Sequence, residues 1–384
     1  MKKEQVSLIE CKEYEFEAVK KAVEESFENL GGIDRYIDKG DRVLLKVNLL
    51  IKKKPEFAAT THPVFTKALA SVLIDYGASV VIGDSPGGPF NERMLKGIYR
   101  VSGMEQIAEE TGAELNYNTE SAVVENPKGK YLKELTIAKM VLDADKVISV
   151  SKLKTHGLTI FTGAVKNMFG IIPGLKKPEF HLTMPEVKEF SEALLDICLY
   201  GSPTLSFMDG IVGMEGAGPS GGEPREIGAV IASGSPYHLD VVASSLINLK
   251  PGEVPTIQRC IERNICKDNL EDIDILGLPI SHFLLEDYAI PEYRTRKLIA
   301  DWMPGFLKTF IEMRTRPRPI FNHERCIACG NCVESCPPQI ISMEDQRPVA
   351  DLDRCIRCFC CQELCPVKAV KIHRPWLLRQ MTRF

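Results

Sequence analysis

No apolar stretch in these 384 residues reaches the roughly 18–20 positions that a membrane-spanning helix needs. The first residues, MKKEQVSLIECKEYEFE, lack the apolar core of a secretory leader, so a cytoplasmic protein is expected. Basic charge is not in excess either. With 48 Lys and Arg against 52 Asp and Glu, a net charge of −4, nothing in the balance points to nucleic acid as a partner. Nucleotide-binding signatures are missing as well. The glycine-rich stretches GDSPGG and GMEGAGPSGG read neither as G-x-G-x-x-G with its acidic residue nor as a phosphate loop ending in Gly-Lys-Ser or Gly-Lys-Thr. They retain only the weaker potential to cradle an anion with backbone N–H groups at a helix start. Cysteine is the exception to this spareness. Thirteen of them in a chain expected to remain in a reducing compartment point to metal rather than to disulfides.

Nine of the thirteen lie between Cys326 and Cys365, and the other four (Cys11, Cys198, Cys260, Cys266) are scattered through apolar contexts as expected of buried, inert thiols. The nine sit in two runs, CIACGNCVESCPP from Cys326 and CIRCFCCQELCPV from Cys355, offset by 29 positions. Three thiolates separated by two residues each can wrap one face of an iron–sulfur cube, and a fourth cysteine three residues on, followed by Pro, is carried away from it. In bacterial two-cluster ferredoxins each fourth cysteine closes the other run's cluster. Applied here, that arrangement assigns Cys326, Cys329, Cys332 and Cys365 to one 4Fe-4S cluster and Cys355, Cys358, Cys361 and Cys336 to a second. Zinc, which favours paired Cys-x2-Cys hooks, fits the spacing poorly. The duplication extends beyond the cysteines: PIFNHERC matches PVADLDRC, and IISM matches AVKI, at the same offset. Residues 319–373 thus resemble a small α+β two-cluster ferredoxin domain. Cys360, beside Cys361, stands where the first run has Asn331, and the register with Cys332 makes it a spectator.

Residues 1–293 read differently. Short β-branched runs alternate with helical stretches, which predicts an α/β domain with a mostly parallel sheet and helices on both faces. RVLLKVN precedes a helix in THPVFTKALASVLIDYG, for which Thr61 is the expected N-cap and Pro63 lies just inside the start. In such sheets function collects where the strands' carboxyl ends meet the following loops. Asn48, Asp84 with Ser85, Gly87 and Gly88, then Lys152, Lys154, Thr155 and His156, then Asp209, Gly210 and Glu215, and finally Gly234, Ser235, His238 and Asp240 are expected there, with Lys166 and Asn167 nearby in sequence. Five polar loops lining one cleft is the expectation. Each residue also has a plainer reading: Asp84 and Asp209 as turn or cap residues, Lys152 and Lys154 as a solvated strand face, His156 as a structural loop histidine.

KVNLL, TTHP, GDSPGG, SKLKTHGLTIFTGAVKNMFG and MDGIVGMEGAGP, in that order, resemble the family called domain of unknown function 362 over roughly residues 6–280. The resemblance implies an iron–sulfur cytosolic protein of anaerobes, often with a ferredoxin module, and assigns no substrate and no catalytic roles. Between the two units, residues 294–318 form a basic, Pro-punctuated connector, and residues 374–384 a basic amphipathic tail that either lies on an anionic membrane or packs on this domain or a second subunit.

Two functions follow. In one, the clusters pass electrons to the α/β domain for reduction of an anionic small molecule. Lys152, Lys154 and Lys166 would fix the anion with Asn48, Asp84, Ser85, Asn167 and Glu215 around it, and His156, Asp209 and Lys154 would be the catalytic candidates. In the other, the chain is an electron carrier or adaptor whose α/β domain docks an oxidoreductase. The absence of a flavin or nicotinamide fingerprint makes a redox protein the expected donor or acceptor. A homodimer is left open.

Overall fold

Near-continuous apolar strands must be covered on both faces, and the central strands are. The computed structural model describes residues 3–267, 269–291 and 317–373; the expected tail and nearly all of the expected connector lie outside the described residues. The strands are β1 (Glu4–Glu10), β2 (Arg42–Lys46), β3 (Ser79–Gly83), β4 (Glu114–Leu115), β5 (Ser121–Glu125), β6 (Glu134–Ala138), β7 (Lys146–His156), β8 (Ile160–Thr162), β9 (Leu205–Glu215), β10 (Glu223–Ser233) and β11 (Ile273–Gly277). All but the β5–β6 hairpin join one sheet in the order β11-β1-β10-β9-β7-β2-β3-β4, with β8 folded back on the end of β7.

Period-2 alternation assigns each strand's side chains to two cores. Val43, Leu45, Phe207, Val230 and Ala232 pack with the helices Phe16–Asn29 and Pro63–Tyr76. Their neighbours Leu44, Met208, Ala229 and Ile231 belong to the opposite face, covered by the helices Val187–Gly201 and Pro236–Leu246. The α/β expectation with helices on both faces is therefore met.

The sheet is mostly parallel, as expected, with one antiparallel strand inside it. β2, β3, β4, β7 and β9 run parallel, as do β1 and β11, but β10 is antiparallel to both β9 and β1. Only seven residues separate Glu215 from Glu223, far too few for a crossover connection. Ser233 at the end of β10 pairs with Ser206 at the start of β9. Gly234, Ser235 and His238 therefore lie at the opposite end of the sheet from the carboxyl ends of β7 and β2, and the five loops do not converge.

Thr61 is not the cap of its helix. His62 caps it, its Nδ1 accepting from Val64 N at 3.3 Å. The Thr61 hydroxyl instead accepts from Asn48 N and donates to Val150 O, tying the loop after β2 to β7.

The second unit is a pair of two-stranded ribbons with a pseudo-twofold relation. β12 (Arg318–Phe321) pairs with β15 (Val370–His373), and β13 (Ile341–Glu344) with β14 (Arg347–Ala350). The duplication reaches the backbone dihedrals. Positive φ recurs at Ala328 and Arg357, at Gly330 and Phe359, and at Gln339 and Lys368, always 29 residues apart. Among the described residues no helix is long and apolar enough to cross a membrane.

Thr61→Val removes the partner of one buried N–H and one buried C=O. It is expected to lower stability by about 1–3 kcal/mol, measured by denaturant unfolding of the α/β signal.

Candidate functional site

The cysteines fall into two sets around two cavities. Cys326, Cys329, Cys332 and Cys365 line one of about 390 Å³, and Cys336, Cys355, Cys358 and Cys361 line the other, of about 350 Å³. This is the pattern that exchange of the fourth cysteine requires. The four sulfurs of each set surround a volume rather than a point: among the described residues no group of three or more metal-ligating side chains closes on a single ion. The left-handed residues curl the loops so that amides reach sulfur. Ala328 N donates to Cys326 Sγ at 3.4 Å and Ala369 N to Cys365 Sγ at 3.1 Å. The donor set, the cavities and the N–H···S contacts all fit a 4Fe-4S cube. Cys360 lines neither cavity. It faces a third space.

That space is a cleft of about 750 Å³, part of it open to solvent, between the carboxyl ends of β2, β3 and β7 and the turn Cys360–Glu363 of the ferredoxin unit. Asn48, Asp84, Ser85, Lys154, His156, Lys166 and Asn167, all expected on sequence grounds, are brought together in it. Asn167 is the hub of its floor. Its Nδ2 donates to Lys46 O and Ser149 Oγ, and its Oδ1 accepts from Lys46 Nζ and Asn48 Nδ2. The short helix Ala164–Asn167 that carries it is held by Asp240, whose carboxylate accepts from Ala164 N and Val165 N. Gly163 is required there, because a Cβ would fall 2.0 Å from Asp240 Oδ1.

The cleft's charges are desolvated. Lys46 Nζ lies 2.8 Å from Asp84 Oδ1, and Asp84 Oδ2 accepts from Leu49 N. Lys154, 1% exposed, donates to Asn48 Oδ1 and Ala59 O, and burial holds its pKa well below the usual range, with Lys166 adding to the effect. Burial likewise lowers Lys166. Lys177, which donates to Ser85 O and Pro86 O, is lowered by burial to about 7. His156 is buried, and burial depresses its pKa well below 6.5. Its Nδ1 accepts from Leu158 N at 2.9 Å, so the ring proton is on Nε2, which lies 3.2 Å from Glu363 Oε1. Burial raises Glu363 to about 7, opposed by Lys166 and Lys154.

Three of the residues expected to bind or act on the anion are elsewhere. Lys152 and Asp209 form a buried pair at 2.8 Å, completed by the Tyr14 hydroxyl, which accepts from Lys152 and donates to Asp209, and by His62 N, which donates to Asp209 Oδ2. Every charge in this network is answered internally, and neither Lys152 nor Asp209 lines the cleft. Lys152 and Lys154 do not share a destination because the β7–β9 register shifts between them. Glu215 accepts from Ala289 N and also lies outside the cleft. The glycine loop after β3 offers no free cradle either, since Ser85 N and Gly87 N donate to Gly170 O and Leu50 O.

Lys46, Lys177, His181, Cys360 and Glu363 line the cleft but were not among the expected residues. The Lys-Pro at 177–178, a helix start, carried a weak signal for the second of these. Nothing in the sequence marks Glu363.

The family described as Domain of unknown function (DUF362) matches residues 43–245, and a 4Fe-4S dicluster domain matches residues 325–369. Thylakoid-associated protein sll1697 of Synechocystis sp. (strain ATCC 27184 / PCC 6803 / Kazusa) is 31% identical over 298 residues, covering 75% of this chain and 88% of its own. That relative's name lends no support to a cytoplasmic location. Among solved structures, the lactate racemase apoprotein of Thermoanaerobacterium thermosaccharolyticum aligns at 14% identity and a TM-score of 0.36, over 62% of this chain and 56% of that one. A Thermotoga maritima protein aligns at 14% identity and 0.29, over 54% and 52%. The present chain spans little more than half the length of either. The dicluster match supports iron–sulfur clusters in the C-terminal unit and, with them, an electron-transfer role.

Two outcomes are expected. Lys152→Ala strands the buried Asp209 carboxylate and should cost about 3–5 kcal/mol in denaturant unfolding, with no change in anion binding by the cleft. Lys177, facing Asp84, Lys46 and Lys166, is protonated below about 7 and neutral above it. Affinity for sulfate, whose own charge is constant, should therefore fall as pH rises through 7, by up to about tenfold per pH unit; calorimetry from pH 6 to 8.5 (about the range that brackets this pKa) checks it.

Proposed function

The chain belongs to the DUF362 family and carries a 4Fe-4S dicluster domain, and from that premise we propose that it is a reductase whose α/β cleft binds an anionic small molecule. One observation carries this reading. The single turn Cys360–Glu363 contributes Cys361 to a cluster cavity while Cys360, Glu363 and the next residue, Leu364, line the cationic cleft. Leu364 also packs against Gly87, where a Cβ would sit 2.4 Å from Leu364 Cδ2, so the two units meet without a gap at this point.

Bound in their cavities, 4Fe-4S clusters supply electrons one at a time at low to moderate potential. The residues of the chain do the rest. Lys154, Lys166 and Lys177 neutralise the substrate's charge in a site largely sheltered from water, where each ionic contact is stronger than at a surface. The fixed Nε2–H of His156 and the neighbouring Glu363 hold protons at the cleft wall, within reach of a bound anion. Cluster ligation is assigned as Cys326, Cys329, Cys332 and Cys365 on one side and Cys336, Cys355, Cys358 and Cys361 on the other. The first set lies toward the exposed loop around Ile327, 59% exposed, where a protein redox partner can approach. The second lies against the cleft.

The test uses anaerobically purified protein with its clusters chemically reduced, followed by their visible absorbance. Reoxidation by the protein-free small-molecule fraction of a cell extract is expected, slowed at least about tenfold, the loss of one charge-assisted contact, by Lys154→Ala or His156→Ala with the clusters intact. Reoxidation by the protein fraction alone would replace this reading with that of an electron carrier whose α/β domain docks an oxidoreductase.

A further inference from the structure

Positive charge in the cleft is not balanced. Lys46 is answered by Asp84. Three further ammonium groups, Lys154, Lys166 and Lys177, share the cavity with one remaining carboxylate, Glu363. They arrive on three different elements: β7, the helix Ala164–Asn167 and the helix Lys177–Thr183. Among the described residues none of the three has a carboxylate within salt-bridge distance. Lys154 and Lys177 donate to neutral oxygens, and Lys166 stands 5.5 and 5.8 Å from the ring centres of Phe169 and Phe190. Like charges gathered in a site poor in water are costly unless a counter-charge joins them.

A second, independent observation points the same way. The hydroxyls of Ser85 and Thr162 are buried, line the same cavity, and have no hydrogen-bond partner among the described residues. Buried native hydroxyls seldom stay unpaired. Donors without acceptors and cations without anions are satisfied together by negatively charged oxygens.

We propose that the cleft is built for a small dianion, held by Lys154, Lys166 and Lys177 with the Ser85 and Thr162 hydroxyls. Three lysines from three elements and two unpartnered hydroxyls converge on one cavity, so a dianion answers more of these buried groups than a monocarboxylate can. The inference rests on the cleft being the substrate site and narrows the class of molecule it accepts.

Calorimetry on the full chain, with its clusters loaded and oxidised, tests this under nitrogen near neutral pH. Sulfate, succinate and propionate are titrated at equal ionic strength. At least one of the two dianions is expected to bind about tenfold or more tightly than propionate, the equivalent of one charge-assisted contact. Sulfate winning marks a single doubly charged head group; succinate winning marks two separated carboxylates. Lys166→Met and Lys177→Met should each erase most of the preference, and Ser85→Ala should weaken binding, with cluster absorbance and Tm unchanged. Propionate binding as tightly as both dianions, or no binding of any of the three, overturns the proposal. A dianion that binds but does not reoxidise the reduced clusters supports the dianion site and counts against reduction there. Reoxidation by extract molecules without any dianion preference does the reverse.

Discussion

The Asn167 carboxamide uses all four of its hydrogen-bonding positions, and the geometry of the cleft depends on its doing so. Two donors go to Lys46 O and Ser149 Oγ, and the oxygen takes Lys46 Nζ and Asn48 Nδ2. This one side chain joins the end of β2 and the body of β7 to the helix that carries Lys166. Asn48, so oriented, presents its own oxygen to Lys154. A buried amide is tolerable only when fully paired, and full pairing here fixes Lys46 directly and Lys154 through Asn48. Asp240 secures the arrangement from behind by holding the two N–H groups at the start of the Asn167 helix. The cleft is thus preorganised around a fully paired amide. Apart from Asp84, paired with Lys46, the only carboxylate that lines the cleft among the described residues, Glu363, comes from the other unit.

That dependence makes the interface between the units part of the site. Glu363 lies 3.2 Å from His156, Leu364 fills the space that Gly87 leaves, and Lys368 donates to Gly222 O and pairs with Glu223. Without the ferredoxin unit the cleft would lose one wall and its compensating carboxylate together. Cys360, which lines neither cysteine cavity, is a wall residue of the cleft.

The legible parts of the sequence were those in which chemistry dictates spacing. Cluster ligation fixes intervals of three residues and a duplicated unit, so the cysteines could be sorted into two sets, and each set gathers around its own cavity. Burial on both faces dictates unbroken apolar strands, so the α/β sheet could be read as well. The direction of β10 could not be read from apolarity, because an antiparallel strand in the middle of a sheet is as apolar as a parallel one. The short Gly-rich link from Glu215 to Glu223 held the missing information, since a parallel neighbour needs a longer return. Lys152 and Lys154 illustrate a second limit. Both are buried β7 lysines two residues apart, yet a register shift sends one to a closed ion pair and the other to the cleft.

Glu334 and Glu363 illustrate a third limit. They occupy the same position in the two repeats, one residue type 29 apart in two copies of the same turn. Glu334 is exposed to water, whereas the Glu363 side chain is 13% exposed, beside His156, with its pKa raised by burial. Nothing local distinguishes them. The difference arises because one half of a pseudo-symmetric unit docks and the other does not. Neighbouring positions carry the trace of that asymmetry: Cys360 and Leu364 face the cleft where the undocked copy has the polar Asn331 and Ser335. An apolar substitution at one copy of a duplicated polar position is therefore the mark of a docking face. By the same logic the two cysteine cavities are inequivalent, that of Cys355, Cys358 and Cys361 sharing a turn with the cleft and that of Cys326, Cys329 and Cys332 lying on the half that does not dock.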